Sequence, residues 1–298
     1  MIGELAALGA ALSWTVSAML YRKALQETTP VAANILRLSC TSVVLVLFLV
    51  GIGKFQVLTS LPVSILVLAG VSGVVGLGLG DTLYMVSLKH IGVARAVPLT
   101  CTYPLFSLVW TASLLGAPIT LPVVLATIII VSGIWLVTYE KQTGDAGIGR
   151  SVLITGIAAA LATAVLWSVS ITMMNAAVLE ASDLDHALVI NTVRAGAVAI
   201  FLLALSPLLD RKLVFLKARL RTVAVLLVGG IVALGLGWFL LAYSFTVTIE
   251  SRAVPISSTT PLFSTLVGLV LLHEKVSWRN ALGSAVIVLG VFLIFIFR

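Results

Sequence analysis

Two arginines, Arg37 and Arg194, lie inside long apolar stretches of the chain, each with an asparagine three residues before it, Asn34 and Asn191. Residues three apart share a helix face. A guanidinium costs at least about 2.5–3.5 kcal/mol near the centre of a bilayer, so each arginine must meet a cavity or a partner. Its planar fork matches carboxylate and phosphate, which makes an anion clamp one reading. A structural arginine bonded to helix-end carbonyls, or one reaching toward the interface, is the other.

Asp81 follows Gly76-Leu77-Gly78-Leu79-Gly80 and is the only acid that the sequence places beyond the first two residues of an apolar stretch. It suits a proton-coupling carboxylate or the partner of an arginine. Its place toward the end of its stretch suits an interfacial or structural ion pair equally. Two pairs of prolines, Pro98 with Pro104 and Pro255 with Pro261, predict interrupted helices, because each removes a backbone donor and frees a carbonyl. Thr102 and Tyr103 lie between the first pair and Ser258 and Thr259 between the second, so small hydroxyls stand beside freed carbonyls at membrane depth. Interrupted helices at matching places in two halves point to a substrate site. Trp14 and Trp167 lie deep in their stretches and are candidates to line it, against core packing as the simpler account. Gly76 and Gly80, four apart, suit close helix packing rather than a phosphate loop.

Metal and thiol chemistry have no comparable support. Cys40 and Cys101 stand in apolar sequence without a CxxC partner, and His90, His186 and His273 fall singly in predicted loops.

The elements that hold these residues follow from composition. Of 298 residues, 60% are hydrophobic and 10% charged, with a mean hydropathy of +1.21. Soluble domains carry about 25% charged residues, so a soluble enzyme, a disordered chain and a disulfide-rich secreted domain are excluded. The net charge of +7 reads as membrane topology rather than nucleic-acid binding, because the charges sit mostly between apolar stretches. Those stretches run near 3–22, 30–51, 62–87, 93–115, 121–139, 151–176, 184–206, 222–247, 253–272 and 277–297. They are long enough for spanning helices and too long for barrel strands. The first lacks a basic leader, Glu4 being its first charge, and reads as a helix rather than a signal peptide. The segment from Glu140 to Arg150 is the candidate linker.

Shifted by 157 residues, the two halves align. Arg95-Ala96-Val97-Pro98 matches Arg252-Ala253-Val254-Pro255, Pro104-Leu105-Phe106-Ser107 matches Pro261-Leu262-Phe263-Ser264, Gly78 and Gly80 match Gly235 and Gly237, and Asp81 falls opposite Trp238. Trp14 pairs with Trp167 after a small change of register. The expectation is an all-α integral membrane protein of about ten helices, in repeats over 1–140 and 151–298. Five helices per half invert one repeat relative to the other, a basis for alternating access.

A tryptophan in the first helix, an arginine in the second, a glycine-rich third and a fourth reading Ala-Val-Pro then Pro-Leu-Phe together resemble the drug/metabolite transporter superfamily, specifically its EamA-type ten-helix members. Leu272-His273-Glu274-Lys275 fits that family's glutamate after the fourth helix of a repeat; Gly116-Ala117-Pro118 departs from it. The residues around Trp14 also lack the mid-helix glutamate of the small multidrug-resistance relatives, which argues against their mechanism. The resemblance implies a multi-pass protein of the cell membrane that is not an enzyme. It would carry a small polar metabolite, amino-acid-like or another organic solute, by exchange or proton coupling. No cofactor, metal or nucleic acid is implied, only the lipid bilayer and a small-molecule substrate. Phosphorylated or nucleotide-linked substrates held by Arg37 and Arg194 are the alternative, ahead of a membrane scaffold or polytopic enzyme. Orientation stays open: the basic residues, such as Arg22, Lys23, Arg211, Lys212 and Arg221, place the termini outside, whereas the resemblance implies termini inside.

Overall fold

Thr29 accepts a hydrogen bond from the Ala32 N–H at 3.2 Å and Pro30 opens the first turn, so a well-capped helix starts where the apolar stretch begins. The Asp183 side chain does the same for the His186 N–H at 2.8 Å. In the computed structural model, which describes residues 1–116, 119–138, 149–180, 183–263, 266 and 278–296, such starts build a helical protein with no strand among those residues. The helices are α1 (Ile2–Ala24), α2 (Pro30–Gly51), the short α3 (Phe55–Ser60), α4 (Val63–Ile91), α5 (Val93–Thr100) and α6 (Tyr103–Leu115). Then follow α7 (Leu121–Thr138), α8 (Arg150–Leu179), α9 (Leu184–Leu209), α10 (Leu220–Val247), α11 (Glu250–Ser257) and α12 (Trp278–Ile296). Six of them (α1, α2, α4, α8, α9 and α10) are long and apolar enough to cross a membrane, and shorter apolar helices accompany them.

Three local expectations need correcting. The third apolar stretch does not end near residue 87 but continues as helix to Ile91. Lys89 and His90 made its last turn look like a loop; the His90 ring instead bonds the Val86 carbonyl at 2.8 Å. Asp81 therefore stands ten residues from the end of α4, about two-thirds of the way along it, rather than close to its end. His186, too, lies in a first helical turn rather than a loop. His273, Glu274, the linker from Glu140 to Ile148, and Ala117-Pro118 lie outside the described residues.

Long helices α4 and α10 each widen into a π-helical segment, at Val74–Gly80 and Ile231–Gly237. The two are 157 residues apart. Widening the turn disturbs the ordinary backbone ladder and leaves carbonyls seeking donors. The repeated asparagines supply them: Asn34 Nδ2 donates to the Leu77 carbonyl at 2.9 Å, and Asn191 Nδ2 to the Leu234 carbonyl at 2.7 Å. Replacing Asn191 with Ala should cost about 1–3 kcal/mol by stranding the Leu234 carbonyl. Unfolding of the solubilised protein would read this, and an unchanged midpoint would mean that another donor takes over.

Packing is reciprocal between the halves. A Cβ at Gly80 would lie 2.9 Å from the Trp167 ring of α8, and one at Gly237 would lie 2.7 Å from the Trp14 ring of α1. Lys54 pairs with Asp185 at one end of the bundle, and Thr222 Oγ1 donates to Glu27 at 2.5 Å at the other. The exterior carries Leu47, Phe48, Ile200, Leu220 and Phe292, all more than half exposed, while Arg37, Asp81, Arg194 and Glu250 are buried. This apolar outside and polar inside suit a lipid surround.

Candidate functional site

Arg37 projects from α2, where Asn34 one turn earlier fixes one of its nitrogens: Nη2 donates to Asn34 Oδ1 at 2.6 Å and to Asp81 Oδ2 at 2.5 Å. The guanidinium carbon stands 4.9 Å from the centre of the Tyr21 ring. Only 3% of Arg37 and 4% of Asp81 is exposed, so each supplies the charge that makes burial of the other tolerable. The second oxygen of Asp81 accepts from Trp167 Nε1 at 2.7 Å. One carboxylate thus ties α2, α4 and α8 together. The Trp167 ring is 5.0 Å from Tyr84 and 6.1 Å from Tyr103, and the Tyr103 hydroxyl meets Ser257 Oγ at 3.0 Å. This side-chain chain reaches from the Arg37 pair to the end of α11.

Arg194 occupies the equivalent position on α9 with different chemistry. Trp238 stands where the other half has Asp81, and Arg194 makes no ion pair among the described residues. Its Nε donates to Ser72 Oγ at 3.1 Å, its Nη2 to Ser170 Oγ at 3.0 Å and its Nη1 to Met174 Sδ at 2.7 Å. Its guanidinium carbon lies 4.4 Å from the centre of the Trp238 ring. Hydroxyls, a thioether and a ring face therefore stand in for a carboxylate. Trp14 packs on Trp238 with ring centres 5.2 Å apart. Asn191 directs its amide to the widened turn of α10 rather than to Arg194.

The helices carrying the paired prolines are interrupted. The turn at Cys101–Thr102 separates α5 from α6, and that at Ser258–Thr259 follows α11. Pro104 stands in the first turn of α6, Pro255 inside α11 and Pro261 just beyond the second interruption; the side chain of Pro98 lies outside the described part. Thr102 Oγ1 donates to the Leu99 carbonyl at 2.6 Å, Ser258 Oγ to that of Pro255 at 2.7 Å and Thr259 Oγ1 to that of Ile256 at 2.8 Å. These hydroxyls satisfy their own helix. Thr102 is half-buried, whereas Ser258 and Thr259 are fully buried. Thr15 Oγ1 of α1 donates to the Thr260 carbonyl at 3.1 Å, joining Trp14's helix to the second interruption.

The structure thus gathers Asn34, Arg37, Asp81, Tyr103 and Trp167 into one connected network. It places both Trp14 and Arg194 against Trp238, and leaves Thr102, Ser258 and Thr259 on the interruptions themselves. It also corrects the standing of Asp81 as the only acid within the bundle. Glu250 is 1% exposed and accepts hydrogen bonds from Ser107, Thr172 and Asn175. In the sequence it sits in Thr248-Ile249-Glu250-Ser251-Arg252, which reads as a polar connection, and nothing local separates it from a first-turn acid at a helix start.

Comparison with known proteins decides the family. The family model described as EamA-like transporter family matches residues 1–139 and again 154–296. The chain belongs to the EamA-like transporter family. Over 298 residues it is 26% identical to an uncharacterized transporter of Archaeoglobus fulgidus, a match covering 99% of this chain and 98% of that protein. A solved crystal structure shares the fold at a TM-score of 0.75 and 20% identity, over 99% of this chain and 96% of the other. As an EamA-like transporter, the chain is a multi-pass integral membrane protein. Its buried arginines, interrupted helices and paired tryptophans are therefore features of a transporter interior.

Proposed function

We propose that this EamA-like transporter is a secondary carrier of a small polar metabolite, amino-acid-like or a similar organic solute. It works by alternating access between two inverted five-helix repeats over residues 1–140 and 151–298. One observation carries the reading: the helix interruptions at Cys101–Thr102 and Ser258–Thr259 recur at the same spacing in the two halves, as do the widened turns of α4 and α10. Broken helices that recur in this way mark substrate sites in such carriers, because an interruption brings polar backbone and hydroxyl groups to membrane depth.

The chemistry of the Arg37–Asp81 pair supports the amino-acid-like class. A zwitterion offers a carboxylate to the guanidinium and an ammonium to the aspartate at once. It can therefore compete for both halves of the pair without leaving a net buried charge. Half-buried Trp167 flanks this centre, and half-buried Trp14 and Thr102 are further candidate lining. In this reading the substrate's cationic group takes the place of Arg37 on Asp81, and proton coupling by that carboxylate is secondary. A second reading, a phosphorylated or otherwise anionic substrate, is favoured by one observation, the lack of an acidic partner for Arg194 among the described residues.

Solute counterflow in proteoliposomes tests both. Zwitterionic amino acids should exchange with a labelled pool, and Trp167→Phe should slow that exchange about tenfold or more by releasing Asp81. Exchange of sugar phosphates with none of amino acids would install the second reading. No exchange by either class would remove the proposed substrate assignment.

A further inference from the structure

Glu250 opens α11 deep inside the protein, yet it makes no ion pair among the described residues. Its Oε1 accepts from Ser107 Oγ at 2.5 Å and from Thr172 Oγ1 at 2.6 Å, and its Oε2 accepts from Asn175 Nδ2 at 2.8 Å. One turn beyond Ser107 on α6 lies Thr111, 1% exposed, whose hydroxyl has no hydrogen-bond partner. That hydroxyl is within electrostatic reach of the Glu250 carboxylate without meeting hydrogen-bond geometry. Arg252, two residues on in the same helix, does not share its face.

A buried carboxylate held only by neutral donors still carries a charge that the protein interior penalises. The groups around it present oxygens: two from Glu250, the hydroxyls of Ser107, Thr111 and Thr172, and the amide oxygen of Asn175 when that amide turns over. All are hard donors, with no thiolate or imidazole, so they suit alkali and alkaline-earth ions rather than transition metals. Their single formal charge balances a monovalent ion and would leave a divalent one uncompensated. The Ser107 and Thr172 hydroxyl oxygens stand 2.5 and 2.6 Å from the carboxylate, a close gathering that suits a small ion. We propose that Glu250, Ser107, Thr111, Thr172 and Asn175 form a Na+ site.

The ligands come from α6, α8 and α11, so a bound ion would fasten the two interrupted helices, one from each half, to the long helix between them. Binding stands on the geometry alone; coupling of that ion to solute movement rests on the carrier function proposed above.

The test uses the full-length protein in detergent at fixed pH, with Tm measured against NaCl, KCl and choline chloride at matched ionic strength. Na+ should raise Tm saturably, by about 3 °C or more, with smaller responses to K+ and choline. Glu250→Gln, which keeps the side-chain shape, should lose the Na+ response. Thr111→Val is the sharper variant, because the hydroxyl that it removes makes no well-formed hydrogen bond. It should leave Tm without Na+ nearly unchanged and weaken the apparent Na+ affinity about tenfold. Equal responses to all three salts in the unmodified protein, or an unaltered Na+ response in Thr111→Val, would overturn the proposal. So would a Tm that follows pH but not Na+, which would make Glu250 a proton site. The readout needs no transported solute, so failure here leaves the carrier reading standing, and absent counterflow with an intact Na+ response does the reverse.

Discussion

Replacing Asp81 with Asn should destabilise the protein by about 3–5 kcal/mol, the cost of leaving a buried guanidinium without its counter-charge. Arg37 is 3% exposed, and its nearest compensation after Asp81 is the Asn34 oxygen and the Tyr21 ring. Neither carries a full negative charge. Trp167 loses little in this variant, because an amide oxygen still accepts from its Nε1. The loss should therefore appear as a charge effect, read as a fall in the unfolding midpoint of the solubilised protein. Removing the pair together is the informative comparison. Arg37→Met with Asp81→Leu fills similar volume with apolar atoms and should recover most of the loss, since replacing both partners of a buried pair is often neutral. If the double variant is as unstable as Asp81→Asn, the ion pair is not the source of the effect. Counterflow should still be lost in the recovered double variant, which separates the stabilising role of the pair from its proposed role in binding solute.

Gly73→Ala should be nearly as damaging for a different reason. A Cβ there would press into the carbonyl oxygen of Arg194 and stand 2.9 Å from that residue's Cα. Those are backbone atoms of a neighbouring long helix and cannot rotate away as a side-chain end would. The two helices must separate, at an overpacking cost of about 1–3 kcal/mol or more. Moving the Arg194 backbone also disturbs its bonds to Ser72, Ser170 and Met174. Gly196→Ala supplies the control on the facing helix α9, because nothing lies within 4 Å of its Cβ position. That change should be neutral or stabilising by up to about 1 kcal/mol through helix propensity. Similar midpoints for the two alanine variants would show that the close approach of α4 and α9 is not needed.

These expected results separate two kinds of information. Hydropathy, residue type and repetition lie along the chain itself, so they were legible in it. Apolar runs of membrane length marked nearly all the helices, although polar residues at one helix end misled: Lys89 and His90 drew the end of α4 too early. Paired prolines, arginines and asparagines at a constant spacing showed the duplication, since such residues are too costly in a membrane to recur by drift. The widened turns of α4 and α10 left only glycines as a trace, because a π-helical turn is set by packing and by a distant donor, not by local composition.

Residue types and their order along the chain thus establish a duplicated helical membrane protein with polar groups placed at depth in both halves. Tertiary structure alone decided which of those groups meet. Arg37 and Arg194 look alike in sequence, but one finds Asp81 and the other finds hydroxyls, a thioether and the Trp238 ring. Glu250 looked like a connection residue and became a buried carboxylate because its donors arrive from 143, 78 and 75 residues away. The physical reason is that burial energies are written into residue types, whereas hydrogen bonds and ion pairs depend on how far each helix is turned about its axis when it packs. That rotation is fixed by contacts such as Trp167 on Gly80 and Trp14 on Gly237, and they exist only once the two halves have come together.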